Sequence, residues 1–128
     1  MIEVGSKSKE VICLVDFMAT AAELSAASLP ENAAEDSVSL MPILRGDKLS
    51  SPLHEAIINH SISGFFAVRK GQWKLEFCRG SGGWFDPKEN AVSKEAPAIQ
   101  LYNIYKNQKE QKNVYKEHPE IVKELTDI

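Results

Sequence analysis

The run Gly64-Phe65-Phe66-Ala67-Val68-Arg69-Lys70-Gly71-Gln72-Trp73-Lys74-Leu75-Glu76-Phe77 constrains the fold of this chain most. In its second half Trp73, Leu75 and Phe77 alternate with Lys74 and Glu76. That period of two is the mark of a strand with one buried and one wetter face. Phe65 to Arg69 forms the first arm, Lys70-Gly71 the turn, and Gln72 to Cys78 the second arm. A hairpin of this kind needs further strands or a helix to bury its apolar face.

The flanking segments supply both. His54 to Asn59 carries Ala56-Ile57-Ile58, a predicted strand, and Ile99-Gln100-Leu101-Tyr102-Asn103 is a fourth. Pro119 opens a closing helix whose apolar face is Ile121, Val122, Leu125 and Ile128. Toward the N-terminus, Leu14, Phe17, Met18, Ala21 and Leu24 recur at helical spacing, which predicts one face packed on a core. Asp16 falls in the first turn, and Pro30 with the acidic stretch 31–37 is expected to end this helix. Val38 to Gly46 reads as a short element with Pro42 in a first helical turn and Ser39 as its cap. The pattern predicts an α+β fold. A small antiparallel sheet of about four strands packs against a C-terminal helix, with an N-terminal helix before it. Residues 1–10 are expected to be a disordered or truncated leader, and 11–128 a single subdomain.

Bulk properties narrow the function classes. A net charge of −3 over 128 residues argues against a nucleic-acid partner. The apolar stretches are too short for a membrane span, and no apolar run after Met1-Ile2-Glu3 marks a signal peptide. Cys13 and Cys78 stand in no metal-ligand spacing and read as free, buried thiols. Gly80-Ser81-Gly82-Gly83 lacks the Gly-Lys-Ser/Thr ending of a phosphate loop and reads as a turn after a strand. It leads into the long irregular stretch 79–97, where Trp84 and Phe85 suit the rim of a binding surface. Asn59-His60-Ser61 fits an N-glycosylation triplet, a pattern that arises often by chance.

His60 is the leading candidate for a site role, ahead of His54; His118 reads as a helix N-terminal residue. Arg69 and Lys74 flank the hairpin turn and have two readings, a solvated strand face or a cationic part of an anion site. Lys106, Lys109, Lys112 and Lys116 are offset by Glu110 and Glu117 and read as a solvated surface.

Read together, these pieces resemble the C-terminal portion of a sulfatase of the arylsulfatase type, within the alkaline-phosphatase-like superfamily. Asp36-Ser37-Val38-Ser39-Leu40-Met41-Pro42-Ile43-Leu44-Arg45-Gly46 is similar to the family's Asp-Gly-x-Ser-Leu-x-Pro-Leu-Leu-x-Gly. His60 through Lys74 resembles a His followed by Ala-Val-Arg, a turn Gly and Trp-Lys-Leu. Leu101-Tyr102-Asn103 with Glu110 and Asn113 resembles Leu-Tyr-Asp with a downstream Glu and Asn-Leu. Val11 to Phe17 and His118-Pro119-Glu120 resemble the segments on either side. The departures are Cys13 for a capping Ser, Ala19 for Pro and Ser37 for Gly. Asn103, Asn107 and Gln108 stand for the usual Asp, Asp and Pro.

The resemblance implies a C-terminal subdomain that braces a catalytic domain and lines part of a substrate cleft. His60 is the first candidate for a substrate-binding residue, with Lys74, Arg69 and Trp84 behind it. It also implies a parent enzyme with a formylglycine nucleophile and a divalent cation, Ca2+, both in an N-terminal catalytic domain. The formylglycine motif, Cys/Ser-x-Pro-x-Arg, does not occur here: Cys13 precedes Leu-Val-Asp and Cys78 precedes Arg-Gly-Ser. No catalytic or metal-ligating residue is therefore assigned, and the chain alone is expected to be inactive. The expected partners are that catalytic domain, a sulfated small molecule or glycan as the parent's substrate, and a second copy of the chain through apolar surface around Phe17 and Met18. The parent is expected in the periplasm or outside the cell. Two other readings stand beside this one: a non-catalytic interaction module of the same fold, and a fragment of a related phosphoesterase.

Overall fold

The structure is a computed structural model that describes residues 2–128. The chain divides into two compact units, one ending at Glu55 and one running from Ala56 to Ile128.

The first unit is built on helix α1 (Asp16–Ser25) and the short helix α2 (Met41–Arg45). The first four N–H groups of a helix lack intrahelical partners. Here Asp16, Phe17 and Met18 donate back to the carbonyls of Cys13, Leu14 and Val15, and Ala19 donates to the Ser37 hydroxyl. The helix ends at Ser25, short of the expected Pro30. Ala26 takes a left-handed conformation, with φ 55°, and its N–H and that of Ala27 close on Glu23 and Ala22. These two bonds satisfy carbonyls that would otherwise be orphaned.

The expected apolar face of α1 is not its buried face. Phe17, Met18 and Leu24 are 58%, 52% and 73% exposed, whereas Asp16 and Thr20 are buried. The reason is polar. Segment 37–40 has no ladder partner for its N–H groups, so Asp16 Oδ1 accepts from Val38 and Thr20 Oγ1 accepts from Leu40. Residues i and i+4 share a helix face, so these two side chains turn together toward that segment. Ser39 donates to Glu23 at 2.5 Å and accepts from Met41 N–H, while Arg45 pairs with Glu23 at 3.0 Å.

The second unit is a four-stranded antiparallel sheet in the order β1 (Ile57–His60), β2 (Phe66–Lys70), β3 (Trp73–Glu76), β4 (Gln100–Asn103). The hairpin closes through Gly71-Gln72, with Lys70 opposite Trp73. Gly71 has φ 52°, the positive φ that a two-residue hairpin loop asks for. Helix α3 (Pro119–Thr126) lies over β2 and β3. Val68, Leu75, Leu101 and Leu125 form the buried centre, with Trp73, Phe77, Ile121 and Val122 packed around them. The expected face of α3 is present except for Ile128, which is about half exposed. The outer edge of β4 is covered by Asn113, whose Oδ1 accepts from Leu101 N–H and whose Nδ2 donates to Ile99 O. Among the described residues no helix is long and apolar enough to cross a membrane.

Candidate functional site

Strand alternation sends Lys74 and Glu76 to the sheet face away from Leu75. Directly paired residues of neighbouring strands share a face, so Arg69, Lys74 and Tyr102 form one row and Ala67, Glu76 and Gln100 the next. On this face Lys74 Nζ lies 2.6 Å from Glu76 and 2.7 Å from Glu110. Burial pulls the Lys74 pKa down, but the two carboxylates outweigh it and leave it raised. The ammonium is thus charged and already neutralised; of its three donors, two are taken.

Beside this ion triplet, Tyr102 donates to Gln100 Oε1 at 2.6 Å, and Gln100 Nε2 donates to the carbonyls of Cys78 and Gly80. Burial, then Glu76 and Glu110, push the Tyr102 hydroxyl up to about 12. Burial, helped by Glu76, also raises the Cys78 thiol, which keeps it protonated. Cys78 and Cys13 are both free thiols; Cys78 is buried, but Cys13 is only partly so.

The Gly-rich stretch after β3 is a turn held by one carboxylate. Glu89 accepts from the N–H groups of Arg79 and Gly80, with the Arg79 guanidinium at 3.4 Å. The Gly80 N–H, ahead of the opposing effect of burial, holds the Glu89 carboxyl below its usual range. A Cβ on Gly80 would meet Pro87 O at 2.5 Å, so the close approach of the two chain segments requires glycine there.

A cleft of about 250 Å³ opens where this turn meets the ends of β1 and β3. His60, Asn59, Lys74, Glu76 and Gly82 are among its lining residues. His60 Nδ1 lies 2.9 Å from Ser61 O, and its ring meets Phe66 edge-on. The structure therefore brings together two of the four residues singled out in the sequence, His60 and Lys74. Arg69 does not line the cleft; its Nε donates to Gly71 O in the hairpin loop. Trp84 follows the lining residue Gly83 but is itself 77% exposed.

Sequence reasoning missed Glu110, Gln100 and Glu89 as the groups that shape this face. It also ranked His54 behind His60, with no carboxylate assigned to either. Asp16 supplies one from 38 residues away, with His54 Nε2 at 3.0 Å. No local pattern carries such a pairing. Among the described residues no group of three or more His, Cys, Asp or Glu side chains could hold a metal ion.

A small antiparallel sheet carrying one covering helix and a polar outer face defines an α+β unit. The comparisons say which one. No family model matches the chain. It is 30% identical over 137 residues to an N-acetylgalactosamine-6-O-sulfatase of Bacteroides thetaiotaomicron, covering 96% of this chain and 24% of that protein. A solved structure from work on glycosaminoglycan metabolism in the same organism superposes with a TM-score of 0.62 at 31% identity, over 88% of this chain and 23% of that one. A second, solved with its substrate D-glucosamine-2-N,6-O-disulfate, gives a TM-score of 0.71 over 98% of this chain and 24% of that one. At 19% identity that likeness speaks for the fold alone. This chain matches a C-terminal portion of sulfatases, and it spans about a quarter of the length of these relatives.

Proposed function

We propose that these residues work as the C-terminal part of a sulfatase, bracing a catalytic domain and supplying one wall of its substrate cleft. The observation that carries this reading is the cleft at His60. Small-molecule sites usually enclose roughly 300–1,000 Å³. At about 250 Å³, this one suits a partial wall completed by another domain. The exposed apolar residues of α1, Phe17, Met18 and Leu24, fit the bracing role, since they suit burial against a partner domain.

The name of the N-acetylgalactosamine-6-O-sulfatase relative supports, as substrate class, a 6-O-sulfated amino sugar within a glycan. Lys74 acts here through its remaining N–H, as a hydrogen-bond donor to a sugar hydroxyl, because its charge is already met by Glu76 and Glu110. His60, on the cleft edge, offers a ring nitrogen to the sugar or its sulfate. Arg69 and Trp84 stand further back, Trp84 as a rim aromatic. The reaction itself calls for a formylglycine and a divalent cation, Ca2+, and the residues present do not fit either group. Neither cysteine heads the required motif, and no ligand cluster stands among the described residues. Both groups therefore belong to the catalytic domain in this reading.

The test is a chimaera in which this chain replaces the matching quarter of the Bacteroides N-acetylgalactosamine-6-O-sulfatase. The folded chimaera should hydrolyse a 6-sulfated amino sugar, and His60→Ala should lower its kcat/KM by about tenfold or more. The 128-residue chain alone should not cleave a chromogenic aryl sulfate. Turnover by that chain, or a folded chimaera indifferent to His60, would overturn the reading.

A further inference from the structure

A second and larger cavity, of about 510 Å³, lies where β3 begins and β4 ends, away from His60. Its volume falls within the range of small-molecule sites, roughly 300–1,000 Å³. Trp73 forms an aromatic wall, steadied by His118 at 4.8 Å between ring centroids. Around it stand the amides of Gln72, Asn103 and Asn107 and the ammonium of Lys106.

The polar groups here are unequally satisfied. Glu117, the carboxylate that lines the cavity, pairs with Lys112 at 2.9 Å. His118 Nδ1 lies 3.4 Å from Glu120. Among the described residues no carboxylate pairs with Lys106, and the Gln72 side-chain amide makes no hydrogen bond, although its backbone carbonyl accepts from Ile104 N–H. Asn103 Oδ1 accepts from Lys106 N–H, which leaves the Asn103 Nδ2 as a donor. Asn107 is engaged with Gln111 and Lys112 and shapes the wall. Asn103 and Asn107 both stand where the resembled pattern carries Asp, so each departure removes a negative charge from this cavity.

We propose that this cavity is a second saccharide site, binding one anionic sugar unit. Trp73 takes the apolar side of the ring, where an indole edge and sugar C–H groups exclude water together. Gln72 and Asn103 serve the hydroxyls, since amides both donate and accept. Lys106 takes the sulfate or carboxylate as a charge-assisted bond. One free cation and two available amides suit a singly charged sugar; a nucleic-acid strand calls for a row of cations. The proposal rests on the sulfatase reading only for the choice of a sulfated amino sugar as ligand.

The experiment is an amide and indole NMR titration of the 128-residue chain with N-acetylglucosamine-6-sulfate, which carries a single negative charge, with glucose and inorganic sulfate as separate arms. N-acetylglucosamine-6-sulfate should shift the Trp73 indole N–H and the Gln72 and Asn103 side-chain amides in a saturable way. Glucose and sulfate alone should each bind at least about tenfold more weakly. Lys106→Ala, an exposed substitution, should weaken binding by about tenfold, and Gln72→Ala should weaken it less. No shift at Trp73, equal binding of inorganic sulfate, or indifference to both substitutions would overturn the proposal. Shifts confined to His60 would overturn it while favouring the first cleft, and the chimaera can fail without affecting the Trp73 signal.

Discussion

Both oxygens of the fully buried Asp16 carboxylate lie 3.0 Å from His54 Nε2. An ionised carboxylate only accepts, so Nε2 carries the proton. The same carboxylate accepts from the N–H groups of Cys13 at 2.7 Å and Val38 at 3.1 Å. One side chain thus joins the entry to α1, the segment before α2 and the end of the first unit.

Removing that hub should cost more than removing its histidine. Asp16→Ala leaves two partly buried N–H groups and His54 unpartnered, and should destabilise the first unit by about 3 kcal/mol. His54→Ala keeps both backbone bonds and should cost about half as much. Urea unfolding of the two variants checks the order; equal losses would mean that the pair itself, not the backbone bonds, dominates.

The same site sets an acid limit. Burial works to raise the Asp16 pKa, but the bonds from Cys13, Val38 and His54 outweigh it, and the pKa is lowered. A depressed native pKa stabilises the fold above the unfolded value, about 3.9 for Asp. That stability should be lost as pH falls below about 4 toward the native value. Acid titration of α1 by circular dichroism should show the loss, and Asp16→Asn should flatten it.

In the second unit, Lys74→Met strands Glu76 and Glu110 on one face without their shared cation. Given that the three side chains are partly solvated, the cost should be about 1–2 kcal/mol. Adding Glu110→Gln should recover part of it. A double-mutant cycle by chemical denaturation reads the coupling directly, and purely additive losses would count against the triplet.

Tyr102 sets the alkaline limit. Its native pKa is raised to about 12, against about 10 in an unfolded chain. A raised native pKa gives stability that is fully present below the unfolded value and lost as pH rises through the native one. Stability should therefore fall between about pH 10 and pH 12, and Tyr102→Phe should reduce that slope. Ultraviolet titration of the phenolate checks the native value.

The exposed face of α1 should make the isolated chain self-associate. Phe17, Met18 and Leu24 are each more than half exposed on one short helix. Light scattering across a concentration series should show growth in mass, and Phe17→Glu with Met18→Glu should abolish it. A strictly monomeric chain at high concentration would refute this.

Much of the second unit was legible in advance because its signals are local. Alternation at Trp73, Leu75 and Phe77 needs only neighbouring residues to mark a strand face, and Gly71 marks its own turn. Pro119 and the spacing of Ile121, Val122 and Leu125 place α3 in the same way. The first unit was less legible. Its apolar periodicity marked α1 as a helix but not the face it buries, because the N–H groups of Val38 and Leu40 drew Asp16 and Thr20 inward instead.

The sequence by itself therefore determined the α+β class, the four strands, the closing helix and the family that the pattern resembles. Only the tertiary structure decided that Lys74 is held between Glu76 and Glu110, that Arg69 turns back to its own loop, and that Asp16 meets His54. It also placed the Trp73 cavity beside Lys106. Periodicity reports which face a residue shares with its neighbours. The partner of a buried charge is set by desolvation, which rewards whichever complementary group the fold delivers, however distant in the chain.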